Sequence, residues 1–347
     1  MPAMKHFQLY LLFALGAATE LNGFCADTNS AAATNAVSYA PDILPGNGLA
    51  QHPFLLTGEA DSRNKEQTLF VVRDGKVAWT YSVPLKTTNG ESELGDATML
   101  SNGNIVFCRK LGASEVNPDK KIIWNMEAPK GTEIHSIQPI GLDRVLVTVN
   151  GHPPKLMLIN TMTGATEKEL TLPAARTNGS PHLQFRRVHQ TAAGTYLAAH
   201  LLDNKVSEYD ADGKEIWTYA VNGPWSATRL KNGNTLIAAN RSRILEVNHD
   251  GNVVWEFSPT NAPDYRLFIF QEVSRLANGN TVVCSWCPGG IRNPNDWPGS
   301  VQVFEISPEK KIVWALSQWK NPDLGPASSI QLLDEPGTPE NPGDVQR

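Results

Sequence analysis

Short apolar runs alternate with tight polar turns along this chain, and no stretch spaces its apolar residues at helical intervals. From Glu208 to Phe257 it reads EYDADGKEIWTYAVNGPWSATRLKNGNTLIAANRSRILEVNHDGNVVWEF. Asp210–Trp217 is two strand ends joined by an Asp-Gly turn, and Leu230–Ala239 is a second hairpin on Asn-Gly. Gly accepts the positive φ these turns need, so either dipeptide before a β-rich run is a strong hairpin signal. The unit predicts four short antiparallel strands and two tight turns.

Both phrases recur. The turn-then-Trp phrase appears at Asp74–Trp79, Asp119–Trp124, Asp212–Trp217, Asp250–Trp255 and Glu309–Trp314, and a copy around Gly164 keeps the turn but lacks the Trp. Asn-Gly-Asn stands at Asn102–Asn104, Asn232–Asn234 and Asn278–Asn280, with weaker copies at Leu142-Asp143 and Ala193-Gly194. The period is that of a propeller blade, roughly 40 to 60 residues. One four-stranded sheet cannot bury two apolar faces alone; a ring of sheets buries both and leaves short edges. The repeated Trp is read as packing between blades.

The fold expected is therefore an all-β, six-bladed propeller over residues 51–337. Its first blade lacks an innermost strand, and Ser328–Gly337 reads as an innermost strand with no blade after it. The two chain ends are expected to share that blade. Seven blades is the alternative, if Leu267–Trp319 holds more than one sheet.

Beyond the repeat, Lys5, His6, an apolar run and small residues before Cys25 have the layout of a signal peptide over residues 1–26. Its implication is export to the periplasm or beyond, with a lipoprotein as the alternative. Residues 27–50 read as a flexible leader and 338–347 as a disordered tail. A net charge of −5 with both signs scattered gives no basic stripe for nucleic acid. No apolar run predicts a membrane span after signal cleavage, and a monomer is expected. Cys108 and Cys284 each follow an Asn-Gly-Asn turn by four residues and read as buried core. Cys284 and Cys287 could form a local disulfide; with no second pair, no metal site is expected.

All tight turns fall at one end of the blades, so the long connections gather at the other. Binding groups concentrate on such loops. The ligand-binding candidates there are Asp96, His135, His182, Gln184, Arg186, Trp225, Gln271, Arg292 and Trp297. Glu133, Ser328, His152, His200, Arg241, Tyr265, Arg266, Trp286 and Asp296 are near enough in sequence to join them. His, Arg, carboxylate and Trp suit a polar or anionic small molecule, or a sugar on a ring. The alternative reading is a wet channel whose side chains bond neighbouring blades. His182 and His189 fall on opposite strand faces and do not share a metal. Arg187 and His189 read as structural. No H-E-x-x-H, G-x-S-x-G or phosphate-loop motif is present.

YDADGKEIW, VNHDGNVVW and INTMTGATEKEL resemble the tryptophan-docking repeat of pyrroloquinoline-quinone-type propellers. With HLQFRRVHQTAAGTYLAAH and GPASSIQLLDEPG, residues 53–335 look like exported bacterial propellers of that kind, and more loosely like arylsulfotransferases. The resemblance implies the fold and leaves the chemistry open. Quinone-dependent relatives have eight blades, adjacent cysteines and calcium-binding carboxylates, so pyrroloquinoline quinone is not expected here. The function expected is an exported, non-catalytic propeller binding a glycan, another small molecule or an envelope protein on its long-loop face. The alternatives are a sulfuryl transferase or lyase working through a channel histidine, with Arg186 or Arg292 on the anion, and a quinoprotein-like oxidoreductase.

Overall fold

A computed structural model describes residues 41, 43–84, 93–173, 180–239 and 242–347. The signal peptide, most of the leader and Arg241 lie outside the described residues.

Six four-stranded antiparallel sheets form the blades of the ring. In blade 1, β1 (Phe54–Thr57), β2 (Glu66–Arg73) and β3 (Lys76–Pro84) follow one another outward. Blade 2 holds β4 (Leu94–Met99), β5 (Ile105–Arg109), β6 (Gly112–Val116) and β7 (Ile122–Glu127). Blade 3 holds β8 (Glu133–Pro139), β9 (Arg144–Asn150), β10 (Lys155–Asn160) and β11 (Thr166–Thr171). Blade 4 holds β12 (Phe185–Gln190), β13 (Tyr196–His200), β14 (Lys205–Tyr209) and β15 (Glu215–Ala220). Blade 5 holds β16 (Ser226–Arg229), β17 (Thr235–Ala239), β18 (Arg243–Val247) and β19 (Val253–Phe257). Blade 6 holds β20 (Ile269–Arg275), β21 (Thr281–Trp286), β22 (Val303–Ile306) and β23 (Ile312–Leu316).

The last strand, β24 (Ser329–Leu332), pairs with β1 in the register Phe54↔Leu332 to Thr57↔Ser329 and completes blade 1. The ring closes as the sequence predicts. Seven blades are excluded because the segment from Leu267 to Trp319 holds one sheet. Its surplus residues form a loop between β21 and β22, with a 3₁₀ turn at Pro294–Gly299.

Burial follows strand position. Every residue of β17, Thr-Leu-Ile-Ala-Ala, is buried, because blades pack against both of its faces. The outer strand β15 is exposed or half-buried throughout. Between blades, the repeat tryptophans reach forward. Trp79 Nε1 donates to Pro118 O, Trp217 Nε1 to His249 O and Trp255 Nε1 to Pro308 O, each 2.9 Å away in an outer turn of a neighbouring blade. The second Asn of each Asn-Gly-Asn turn donates to a carboxylate on the third strand of its blade. These pairs are Asn104–Glu115 and Asn234–Glu246 at 2.7 Å and Asn280–Glu305 at 2.6 Å. The last Asn of the turn thus also donates to an acid cross-strand from the repeat Trp.

At the end of the leader, Gly48–Ala50 forms a 3₁₀ turn whose Gly48 carbonyl accepts from Trp314. The tail after residue 337 lies on the tight-turn face, where Glu340 is buried: its carbonyl accepts from Gly141 N at 2.8 Å and its carboxylate accepts from Ser101. Under it, residues 337–346 help line a cavity of about 370 Å³ at that end of the channel. Among the described residues no helix is long and apolar enough to cross a membrane.

Candidate functional site

The inner strands line the channel, and four of them break register at the same place. β4 does so between Leu94 and Ala97, β8 between Ile134 and Ser136, β12 between Phe185 and Val188, and β20 between Phe270 and Glu272. The residues in the breaks are Gly95 and Asp96, His135, Arg186 and Arg187, and Gln271. A bulge frees a residue from the ladder and re-aims its side chain. Four of the nine candidates, Asp96, His135, Arg186 and Gln271, are therefore bulge residues, and the channel groups fall in two layers.

The layer nearer the long loops is centred on Glu133. Its Oε2 accepts from His135 Nε2 at 3.0 Å and from His182 Nδ1 at 2.9 Å. His182 is held by the 3₁₀ turn Pro181–Leu183. Arg186 lies beyond both rings, NH1 3.3 Å from His135 Nδ1 and NH2 3.2 Å from His182 Nε2. Because a guanidinium only donates, both of those ring nitrogens accept, and the proton of each imidazole is on the side of Glu133. The Arg186 guanidinium carbon stands 4.4 Å from the Trp225 ring centre, and Trp225 packs against Trp286 at 6.2 Å. Trp286 Nε1 donates to Glu59 O at 3.0 Å, and Gln271 Nε2 to Glu59 Oε1 at 2.6 Å. Lys110 Nζ lies 3.5 Å from Glu133 Oε1, and Glu93 Oε2 is 3.8 Å from His182 Nδ1.

Electrostatics sort these groups. Burial pushes the Glu133 carboxyl up, but the two imidazole hydrogen bonds outweigh it and hold the group ionised, below the usual range. Burial and then the facing Arg186 and His182 press His135 down to about 3, so its ring is neutral. Burial and the charge of Glu59 push Glu93 up. Burial lowers Arg186, opposed by Glu59, Glu93 and Glu133.

The deeper layer is an ion-pair network, and its Asp96, His189 and Glu272 also line the cavity at the tight-turn end. Arg187 ion-pairs with Asp96 and lies 3.8 Å from Glu272, while His189 Nε2 sits 3.2 Å from Asp96 Oδ2. Asp96 thus belongs to a buried charge network, apart from the His135–His182 cluster. His182 and His189 face different carboxylates, Glu133 and Asp96.

The other candidates separate in the same way. Gln184 is locked to blade 3, accepting from Gly151 N at 2.8 Å and donating to Gly151 O at 2.9 Å. Trp297 is buried in a small cluster with Cys287 and Trp319, its indole donating to Ile291 O at 3.0 Å. Arg292 is exposed on the same loop. His200 is buried against Tyr209, 2.8 Å from its hydroxyl. The fold brings together His135, His182, Arg186, Trp225, Trp286 and Gln271 around Glu133. Sequence reasoning missed Glu59, Glu93 and Lys110. Glu93 had a usable signal: it stands seven residues before Leu100, as Glu133 stands seven before Ile140, and both of those residues open an inner turn.

Cys108, Cys284 and Cys287 are free and buried, so the local disulfide is not formed.

Comparison with known proteins supports the fold. Residues 181–286 match the family model described as outer membrane protein assembly factor BamB. No curated protein matches the chain. A Bacteroides caccae protein of unknown function is 23% identical with a TM-score of 0.68, over 80% of this chain and 98% of its own. A catalytically inactive virginiamycin B lyase from Staphylococcus aureus, with quinupristin, is 12% identical with a TM-score of 0.51, over 81% of this chain and 90% of its own. A streptogramin B lyase is 12% identical with a TM-score of 0.50, over 79% and 84%. The chain is a six-bladed propeller resembling the pyrroloquinoline-quinone-like repeat proteins, with lyases among its structural neighbours.

Proposed function

We propose that this chain is an exported propeller of the cell envelope that binds a carbohydrate at the long-loop mouth of its channel, without turning it over. The observation that carries the reading is the stacked set of Trp286, Trp225 and Arg186, with Trp225 tilted 44° to Trp286 and Arg186 over its face. Both indoles are half-buried, so each keeps some ring surface at the mouth. Aromatic faces suit the C–H faces of a sugar ring, and planar polar groups beside them suit paired hydroxyls. Glu59 and Gln271 supply such groups on one side, His182 and Arg186 on the other. The match to an outer-membrane assembly-factor model agrees with an envelope location.

A thermal-shift screen of the purified chain against neutral and acidic glycans tests the reading. A ligand of the native state raises the midpoint by mass action. The reading requires a concentration-dependent rise with at least one glycan class and an unchanged glycan after long incubation. Recovery of a cleaved or eliminated product would replace the binding protein with an enzyme.

A further inference from the structure

Glu93, His135 and His182 each bring one donor atom within 4.8 Å of the other two. Carboxylate and two imidazoles are a metal-ligand set, and two independent observations point the same way. Glu93 Oε2 is buried with no hydrogen-bond partner. Burying such an atom is costly unless something positive meets it. The second observation is the direction of the histidine lone pairs. Glu133 takes one N–H from each ring, which leaves His135 Nδ1 and His182 Nε2 as acceptors, and both face the Arg186 cation. Metal-bound imidazoles have this arrangement, one nitrogen on a carboxylate and the other on the cation.

We propose that Glu93, His135 and His182 form a binding site for a first-row divalent transition cation, with Glu133 as the positioning carboxylate and the Arg186 side chain as the resident cation it displaces. Two imidazole nitrogens favour zinc-like ions over magnesium or calcium, which prefer oxygen. Charge favours the exchange. Arg186 already stands where Glu59, Glu93 and Glu133 act on it together, so a divalent cation in its place meets the same three carboxyl groups. The site adjoins the proposed sugar-binding walls but does not depend on them, because it is defined by its donors and is tested with metal alone.

The test is calorimetric titration of the tag-free chain with zinc sulfate, with magnesium and calcium chloride as comparisons, and cobalt absorption spectra as a second readout. One equivalent of zinc should bind, magnesium and calcium far more weakly, and cobalt should give visible bands. Glu93→Gln and His182→Gln should each weaken zinc by about tenfold or more, and Glu133→Gln by about 10- to 100-fold. Arg186→Met should bind zinc at least tenfold more tightly, an effect no merely structural role produces. A melting curve for each variant separates lost folding from lost binding. The proposal is overturned if neither the wild type nor Arg186→Met takes up zinc or cobalt. Unchanged zinc affinity in a folded His135→Asn/His182→Gln double variant overturns it equally.

Discussion

Trp314 Nε1 donates to the carbonyl of Gly48 at 2.9 Å, across 266 residues of sequence. In the other docked copies that acceptor belongs to an outer turn of a neighbouring blade. Blade 1 joins its outer strands by a tight Asp74-Gly75 turn, and the 3₁₀ turn at Gly48–Ala50 packs on it, with Ala50 Cβ beside Gly75. The N-terminal segment therefore completes a repeat that blade 1 leaves short, while β24 closes the same blade from the inside. Both chain ends clamp one seam.

Trp314→Phe loses the hydrogen bond and leaves a small cavity at a fully buried site, so it should cost more than the roughly 1 kcal/mol of the hydrogen bond alone. Starting the chain at residue 51 removes the acceptor and should lower stability as well. Denaturant melts of the two single changes and the combination should give a combined loss smaller than the sum, since both delete one contact. Strict additivity would mean that the segment stabilises the seam by other means.

His52 lies on that seam, 3.1 Å from Glu305 of blade 6 and 2.9 Å from Asp334 beyond β24. Burial works against its charge, but the two carboxylates win and raise it from 6.5 to about 8. A raised folded value means protons stabilise the native state. The contribution is complete below about pH 6.5 and fades as pH rises through 8. After solvent screening of a partly exposed ring it is about 1 kcal/mol. The chain should melt lower at pH 9 than at pH 6, and His52→Gln should flatten that difference. A variant with the same pH slope as the wild type would remove His52 from the account.

Gly95 lies in tight contact between the inner strands of blades 2 and 3. A Cβ there would stand 2.7 Å from Cys108 Sγ and 2.8 Å from the His135 carbonyl. Gly95→Ala should cost about 1 to 3 kcal/mol by overpacking. The pressure falls on the backbone of a mouth residue, so ligand affinity should drop with stability. A neutral melt would show that blade 2 can move away from blade 3.

The sequence carried the fold because most blades repeat the same local chemistry: Asn-Gly or Asp-Gly at the tight turns, and a Trp on the outer strand of every blade but the third. It also placed His135, His182, Arg186, Trp225 and Gln271 at one mouth, since residues that enter the inner strands share a height in the channel. Three things were not legible. The register breaks that re-aim Asp96, His135, Arg186 and Gln271 leave no mark in the alternation of apolar and polar residues. Gln184 and Trp297 have suitable chemistry but spend it on backbone carbonyls or amides within the scaffold. Glu59 comes from the loop after β1, and Lys110 from the connection between β5 and β6, so their arrival at the mouth depends on ring closure and strand tilt rather than on a nearby motif.

The most direct test of the long-loop mouth as the binding site is calorimetric titration of the best glycan from the screen into three proteins. These are the wild type, Trp225→Ala and a chain ending at Gly337, which uncovers the opposite mouth. Binding there predicts at least a tenfold loss in Trp225→Ala, with an unchanged melt, and wild-type affinity in the shortened chain. Full affinity in Trp225→Ala, with a change in the shortened chain, would place the ligand in the tight-turn cavity and contradict the account.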